Sequence, residues 1–186
     1  MRKLWLGKRA RRLVAAGVSL AVAGGVTGCG IFEKHNPPTC PHVSILAEAA
    51  QMTAYRAGGG RDVTDVLFQG EVSSVDSECD YDKDAKRVDM TATLTLTAVL
   101  GAAGRGDVTL PFFVAVVDRK SQQVLNKGVF RSVIAMPEGR RQSSSVEQIE
   151  EHIPVTAGHV ESDYEILVGL QLTPEQLEQN RKQRQP

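Results

Sequence analysis

Arg87-Val88-Asp89-Met90-Thr91-Ala92-Thr93-Leu94-Thr95-Leu96-Thr97-Ala98-Val99-Leu100 carries the strongest structural signal in this chain. Val88, Met90, Ala92, Leu94, Leu96, Ala98 and Leu100 occupy every second position, between Asp89, four threonines and Val99. Strict alternation puts the apolar set on one face of an extended chain, and β-branched threonine suits the other, pleated face. The stretch predicts a half-buried strand with a threonine-lined outer surface.

Its neighbours read the same way. Residues 66–82 predict a long strand. In its last part Val75, Ser77, Cys79 and Tyr81 share the inward face, and Asp76, Glu78, Asp80 and Asp82 share the outer one. Residues 101–107 (GAAGRGD) turn the chain into residues 108–118, which are apolar on both faces and so predict a central strand. Residues 119–122 turn again and 124–135 return. The basic, serine-rich segment 137–145 is expected to be a loop. In residues 146–155, Val146, Gln148 and Glu150 alternate with Glu147, Ile149, Glu151 and Ile153, and Pro154 marks an edge or a strand end. Tyr164, Ile166, Val168, Leu170 and Leu172 predict a final strand.

Residues 43–56 are ambiguous. Ala, Glu and Gln favour a helix, while the short apolar run before the turn at residues 58–62 favours a first strand over residues 50–56. At the other end, Thr173-Pro174-Glu175-Gln176 places a capping threonine, a proline at the first helical position and a glutamine three after the cap. A short helix follows, expected to be solvated or loosely docked because Leu177 is its only strong apolar residue. Six or seven strands with turns roughly every 10–15 residues make a mainly β chain, an antiparallel β-sandwich with a C-terminal helix. The layout resembles immunoglobulin-like domains only loosely. Trp5 is the single tryptophan and precedes the domain, so the Cys…Trp…Cys signature is absent.

The N-terminus has a different character. Arg2, Lys3, Lys8, Arg9, Arg11 and Arg12 precede an uncharged, mostly small and apolar run from Leu13 to Gly28. This is the order of a signal peptide, and it is shorter than the ~20 apolar residues of a spanning helix. Val26-Thr27-Gly28-Cys29 ends the run and resembles the lipobox of bacterial lipoproteins, with Val26 where that pattern usually has Leu. The resemblance implies that residues 1–28 are removed and that Cys29 is lipidated with a diacylglyceryl thioether and an N-acyl chain. Such multiple chains anchor stably where one holds marginally. In Gram-negative lipoproteins Asp after the cysteine favours inner-membrane retention, so Gly30 implies the outer membrane, facing the periplasm.

The chain is also similar to an uncharacterised group of proteobacterial lipoproteins. The shared motifs are Cys40-Pro41, Gly60-Arg61-Asp62, Cys79-Asp80-Tyr81, Phe113-Val114-Ala115-Val116 and Leu172 to Leu177. That likeness implies the anchor and the fold, and no activity.

Cutting the 186-residue chain after Gly28 leaves 158 residues, which suits one domain. Residues 29–42 read as a lipidated, proline-rich tether with Pro37, Pro38 and Pro41, and residues 43–186 as the sandwich with its helix. The six basic residues of the leader are lost with it, leaving 16 basic against 22 acidic residues. A net charge of about −6 gives no support for nucleic-acid binding. With Cys29 taken by lipid, Cys40 and Cys79 remain as an even pair. In an oxidising compartment that reads as a disulfide. The rival is a pair of reactive thiols, but neither sits in a CxxC or beside a clear activating base.

Motifs of chemistry are sparse. There is no G-x-S-x-G elbow and no S-x-x-K. His35, His42, His152 and His159 lack ligand spacing, although Cys40 with His42 is a metal alternative to the disulfide. Asp80-x-Asp82-x-Asp84 resembles the start of a calcium loop, but Ala85 and Thr91 stand where an EF-hand needs Gly and Glu. The expectation is therefore no cofactor, no metal and no catalytic residues. A non-catalytic binding or assembly module is expected, with the membrane as one partner through the lipid and other envelope proteins as partners at a sheet edge. The strand near residues 146–153 is the candidate edge, and its Glu147, Glu150 and Glu151 suit equally well a protected edge that pairs with nothing. The alternative is an envelope enzyme acting on wall or lipid substrates, which clustering of Arg61, Asp62 and His159 in a deep cleft would favour.

Overall fold

The computed structural model describes residues 39–184. The expected signal peptide, the expected lipidation site Cys29 and most of the expected tether lie outside the described residues. Eight strands, β1 (His42–Ile45), β2 (Gln51–Tyr55), β3 (Val66–Asp82), β4 (Arg87–Leu100), β5 (Val108–Asp118), β6 (Gln123–Ile134), β7 (Gln142–Pro154) and β8 (Tyr164–Leu170), precede one helix, α1 (Pro174–Arg184). They form two four-stranded sheets, β1-β8-β5-β6 and β2-β3-β4-β7. Every pairing is antiparallel except β1 with β8. The β-sandwich is thus present, with eight strands rather than six or seven.

β4 behaves as its alternation dictates. Leu94, Leu96 and Ala98 are fully buried, while Thr91, Thr93 and Thr95 stay partly exposed. Across the sandwich they meet Leu110, Phe112, Val114, Ile166, Val168 and Leu170 from β5 and β8 in one core. β5 is apolar on both faces for two reasons. Its even residues enter this core, while Phe113 and Ala115 on the other face pack with Ala49, Leu46 and Leu172 in a second cluster. The Lys127 ammonium sits 4.3 Å over the Phe113 ring and covers more of it.

β3 carries a bulge that simple alternation does not announce. Val72 pairs with Leu96 and Ser74 with Thr95, leaving Ser73 as the extra residue. Before it, Phe68, Gly70 and Val72 face inward; after it, Val75, Cys79 and Tyr81 do. Ser73 Oγ lies 2.6 Å from Thr97 Oγ1, which satisfies the bulged position.

Three boundaries differ from expectation. Residues 43–56 hold two strands, β1 and β2, separated by a short 3-10 turn at Ala47–Ala49. The expected loop at 137–145 stops early. Residues 142–145 already belong to β7, where Ser143, Ser144 and Ser145 pair with Ala98, Thr97 and Leu96. β8 ends at Leu170, two residues short of the expected Leu172. The α1 cap forms as its sequence implies, with Thr173 N donating to Gln176 Oε1 and Gln176 N donating to Thr173 Oγ1.

Candidate functional site

The disulfide is formed between Cys40 and Cys79, with Cα atoms 5.8 Å apart. It ties the lead-in to β1, in one sheet, to β3 in the other. Cys40 is therefore committed to Cys79 and is not a metal partner for His42.

The outer face of the β2-β3-β4-β7 sheet is a polar plate. Register places Asp76, Thr93 and Gln148 in one row, Glu78, Thr91 and Glu150 in the next, and Asp80, Asp89 and His152 in a third. A shallow groove of about 340 Å³ runs along the last two rows. Its acids are partly engaged. Asp89 Oδ1 receives Arg87 Nε at 2.7 Å and lies 2.6 Å from His152 Nδ1. The Arg87 hydrogen bond, then that of His152, holds the Asp89 carboxyl below its ordinary pKa. Asp82 caps the β3–β4 turn through Asp84 N and Ala85 N. Among the described residues no three His, Cys, Asp or Glu side chains converge as a metal site. The run Asp80, Asp82, Asp84 is spent on a strand face and a turn.

A second polar cluster was not legible in the sequence. His159 Nε2 lies 3.0 Å from Asp118 Oδ2 and its Nδ1 lies 3.1 Å from Thr156 Oγ1. Thr156 also meets the Tyr164 hydroxyl, and the His159 ring stacks on the Tyr164 ring. The other Asp118 oxygen accepts the Lys120 and Ser121 amides of the β5–β6 turn. These bonds, that of Ser121 first, hold the Asp118 carboxyl below its ordinary pKa. The cluster closes the end of the sandwich by tying the β7–β8 connection to the β5–β6 turn. Arg61 and Asp62 do not join it. Arg61 donates to Gln179 of α1, and Asp62 accepts from Thr64 N at the opposite end of the fold.

The remaining feature is the free side of the sandwich. β6 and β7 are the last strands of their sheets and lie on the same side of the two layers. They touch through Ser132 Oγ, 2.6 Å from both Ser145 Oγ and Glu147 Oε1, and through Asn126 Nδ2, 3.4 Å from Glu151 Oε2. β6 carries Val124, Leu125, Val129 and Val133, each more than half exposed, and Val146 is equally exposed on β7. The expected edge at 146–153 is therefore an edge, and β6 is a second one beside it. The opposite side is covered differently: β1 and β2 are four and five residues long, and α1 docks beside β2.

No protein-family model, curated protein or solved structure matches this chain.

Proposed function

We propose that the domain is a non-catalytic binding or assembly module of the cell envelope, anchored by lipid on Cys29 and facing the periplasm from the outer membrane. The observation that supports this reading is the pair of long edges on one side, 12 and 13 residues, with five large apolar side chains left in solvent. Strand addition supplies affinity through main-chain hydrogen bonds and needs no reactive side chain. Natural sandwiches normally blunt such edges; here the β1–β2 side is short and covered, whereas the β6–β7 side is marked by charges, among them the inward-pointing Glu147, and by Pro154, and keeps its length.

A second reading, an envelope enzyme acting on wall or lipid substrates, draws support from the Asp118–His159–Thr156 array. Its Thr156 hydroxyl also contacts Tyr164, and Asp118 is committed to a turn. Both engagements suit a structural clasp better than a nucleophile and its base.

The test is photo-crosslinking in intact envelopes with the full-length protein. A photoreactive residue at Val129 or Val133 is expected to trap a protein adduct, while one at Thr93 on the polar plate is not. Cys29→Ser is expected to abolish fatty-acid labelling. Adducts confined to Thr93 would overturn the edge reading, and unchanged labelling would overturn the anchor.

A further inference from the structure

We propose that the partner taken up by this edge is a second copy of the same chain, with β6 of each copy adding to β7 of the other. The inference rests on the edge-docking reading above and names its occupant.

Charge complementarity selects the pairing. On the outer face β6 bears Lys127 and Arg131 while β7 bears Glu150; Glu147 and Glu151 point inward and meet Ser132 and Asn126 of their own chain. Pairing β6 with another β6 brings cations together, and pairing β7 with β7 brings carboxylates together; like charges directly opposite on a ladder are destabilising. Only β6 with β7 joins opposite signs.

Topology permits that pairing twice at once. β6 is antiparallel to β5, β7 is antiparallel to β4, and β4 turns directly into β5. Within one molecule β6 and β7 therefore run in opposite directions, stacked in different layers. A two-fold axis along the strands, midway between the layers, carries each sheet into line with the other sheet of the second copy. Strand direction is kept, so β6 meets the second copy's β7 as an antiparallel neighbour on both sides of the axis. Such an interface is self-complementary and closed.

The register also agrees. An axis along the strands keeps each residue at its own level. Ser132 is level with Ser145, and Asn126 with Glu151, through the contacts already described. Carried across the axis, these levels set Lys127 opposite Glu150 and Val129 opposite Gln148. Opposed residues must lie on the same face of the joined sheet. Ser132 and Ser145 both face inward, and Lys127 and Glu150 both face outward, so the facing rule is met without a slip.

The membrane end is consistent as well. His42 pairs with Glu165, next to the Tyr164–Asp118 pair, so Cys40 lies at the β5–β6 turn end of the sandwich. An axis along the strands leaves both Cys40 residues at that same end. Both chains therefore enter their described domains from the same end, as anchoring to one bilayer requires.

The experiment uses full-length, lipidated protein in native envelopes, with a photoreactive residue at Val129 or Gln148 and identification of adducts by mass. The expected product is a homodimer from either position. Lys127→Glu and Glu150→Lys should each lower its yield by roughly tenfold or more, since like-charge juxtaposition at an interface is strongly unfavourable. The double variant Lys127→Glu/Glu150→Lys should restore it. Resistance of residues 39–184 to limited proteolysis, equal to that of the parent, reports that each variant has folded. Adducts at Val129 to a different protein would uphold edge docking and overturn the second copy. Absence of any adduct would overturn both. A homodimer indifferent to either charge reversal, or one not restored in the folded double variant, would overturn the pairing.

Discussion

Cys40 and Cys79 are bonded across 39 residues of sequence, joining the segment before β1 to the turn end of the β3–β4 ladder. β1 is only four residues long and is held by a parallel pairing to β8, a weaker ladder than an antiparallel one. The disulfide therefore fixes the least self-sufficient strand. Closing a loop of this size stabilises by about 4 kcal/mol in the chain-entropy model. The double substitution Cys40→Ser/Cys79→Ser should lower unfolding free energy by about 2–4 kcal/mol in urea titrations. A midpoint equal to that of the parent would refute the structural role.

The turn between β4 and β5 tests how closely backbone approaches backbone. A Cβ on Gly101 would lie 2.2 Å from the Val66 carbonyl oxygen, and one on Gly104 would lie 1.9 Å from that of Leu67. Neither neighbour can yield easily, because Gly101 N also donates to Leu67 O and Ala103 N to Val66 O. Gly101→Ala should cost about 1–3 kcal/mol, as overpacking does. Thermal melts of Gly101→Ala beside Gly60→Ala, whose Cβ would meet nothing nearer than an Asp65 oxygen at 3.2 Å, give the comparison. Equal melting temperatures would contradict the packing argument.

Much of this fold could be read from local pattern. β4 is plain because seven alternating apolar residues all face one core, and β3 and β5 are nearly as plain. The bulge at Ser73 was hidden because Val72 and Val75 each suit a core face and nothing local marks the change. β1 was missed because four residues set no period and its partner lies more than a hundred residues away. Ser143 to Ser145 read as loop because three serines carry little strand preference; pairing to Leu96, Thr97 and Ala98 decides them. The β7 edge was legible in Pro154 and its glutamates. That β6 is the neighbouring edge depends on strand order, as does the meeting of Asp118 with His159 from 41 positions away.

Asp118 supplies the clearest dependence on pH. Its carboxylate accepts the Ser121 and Lys120 amides and meets His159, and its pKa is lowered in the folded state. A depressed carboxyl contributes stability that is present above the unfolded value, about 3.9. That contribution is lost as pH falls through the folded value. The urea midpoint of Asp118→Asn should therefore lie below that of the parent at pH 7, and the two should converge as pH drops below about 4. A difference that stays constant over that range would show that the turn does not depend on the charge.

The last dependence concerns α1, which has no fully buried residue and only Leu177 as a partly buried apolar one, so apolar burial holds it weakly. An isolated helix this short is marginal in water, and its polar contacts must supply the docking. Asn180 Nδ2 donates to the Glu48 and Gln51 carbonyls at 2.9 and 2.8 Å, Gln176 Nε2 to the Thr53 carbonyl, and Arg61 to Gln179. The bonds to Gln51 and Thr53 satisfy main-chain oxygens of β2, the edge strand that would otherwise be open, and the bond to Glu48 satisfies one in the turn before it. Asn180→Ala removes two of them, each worth about 1 kcal/mol. Amide exchange should then quicken in α1 and along residues 51–55, while β4 and β5 keep their protection, because the core does not include the helix. Unchanged exchange in residues 51–55 would mean that β2 is held by its ladder to β3 alone.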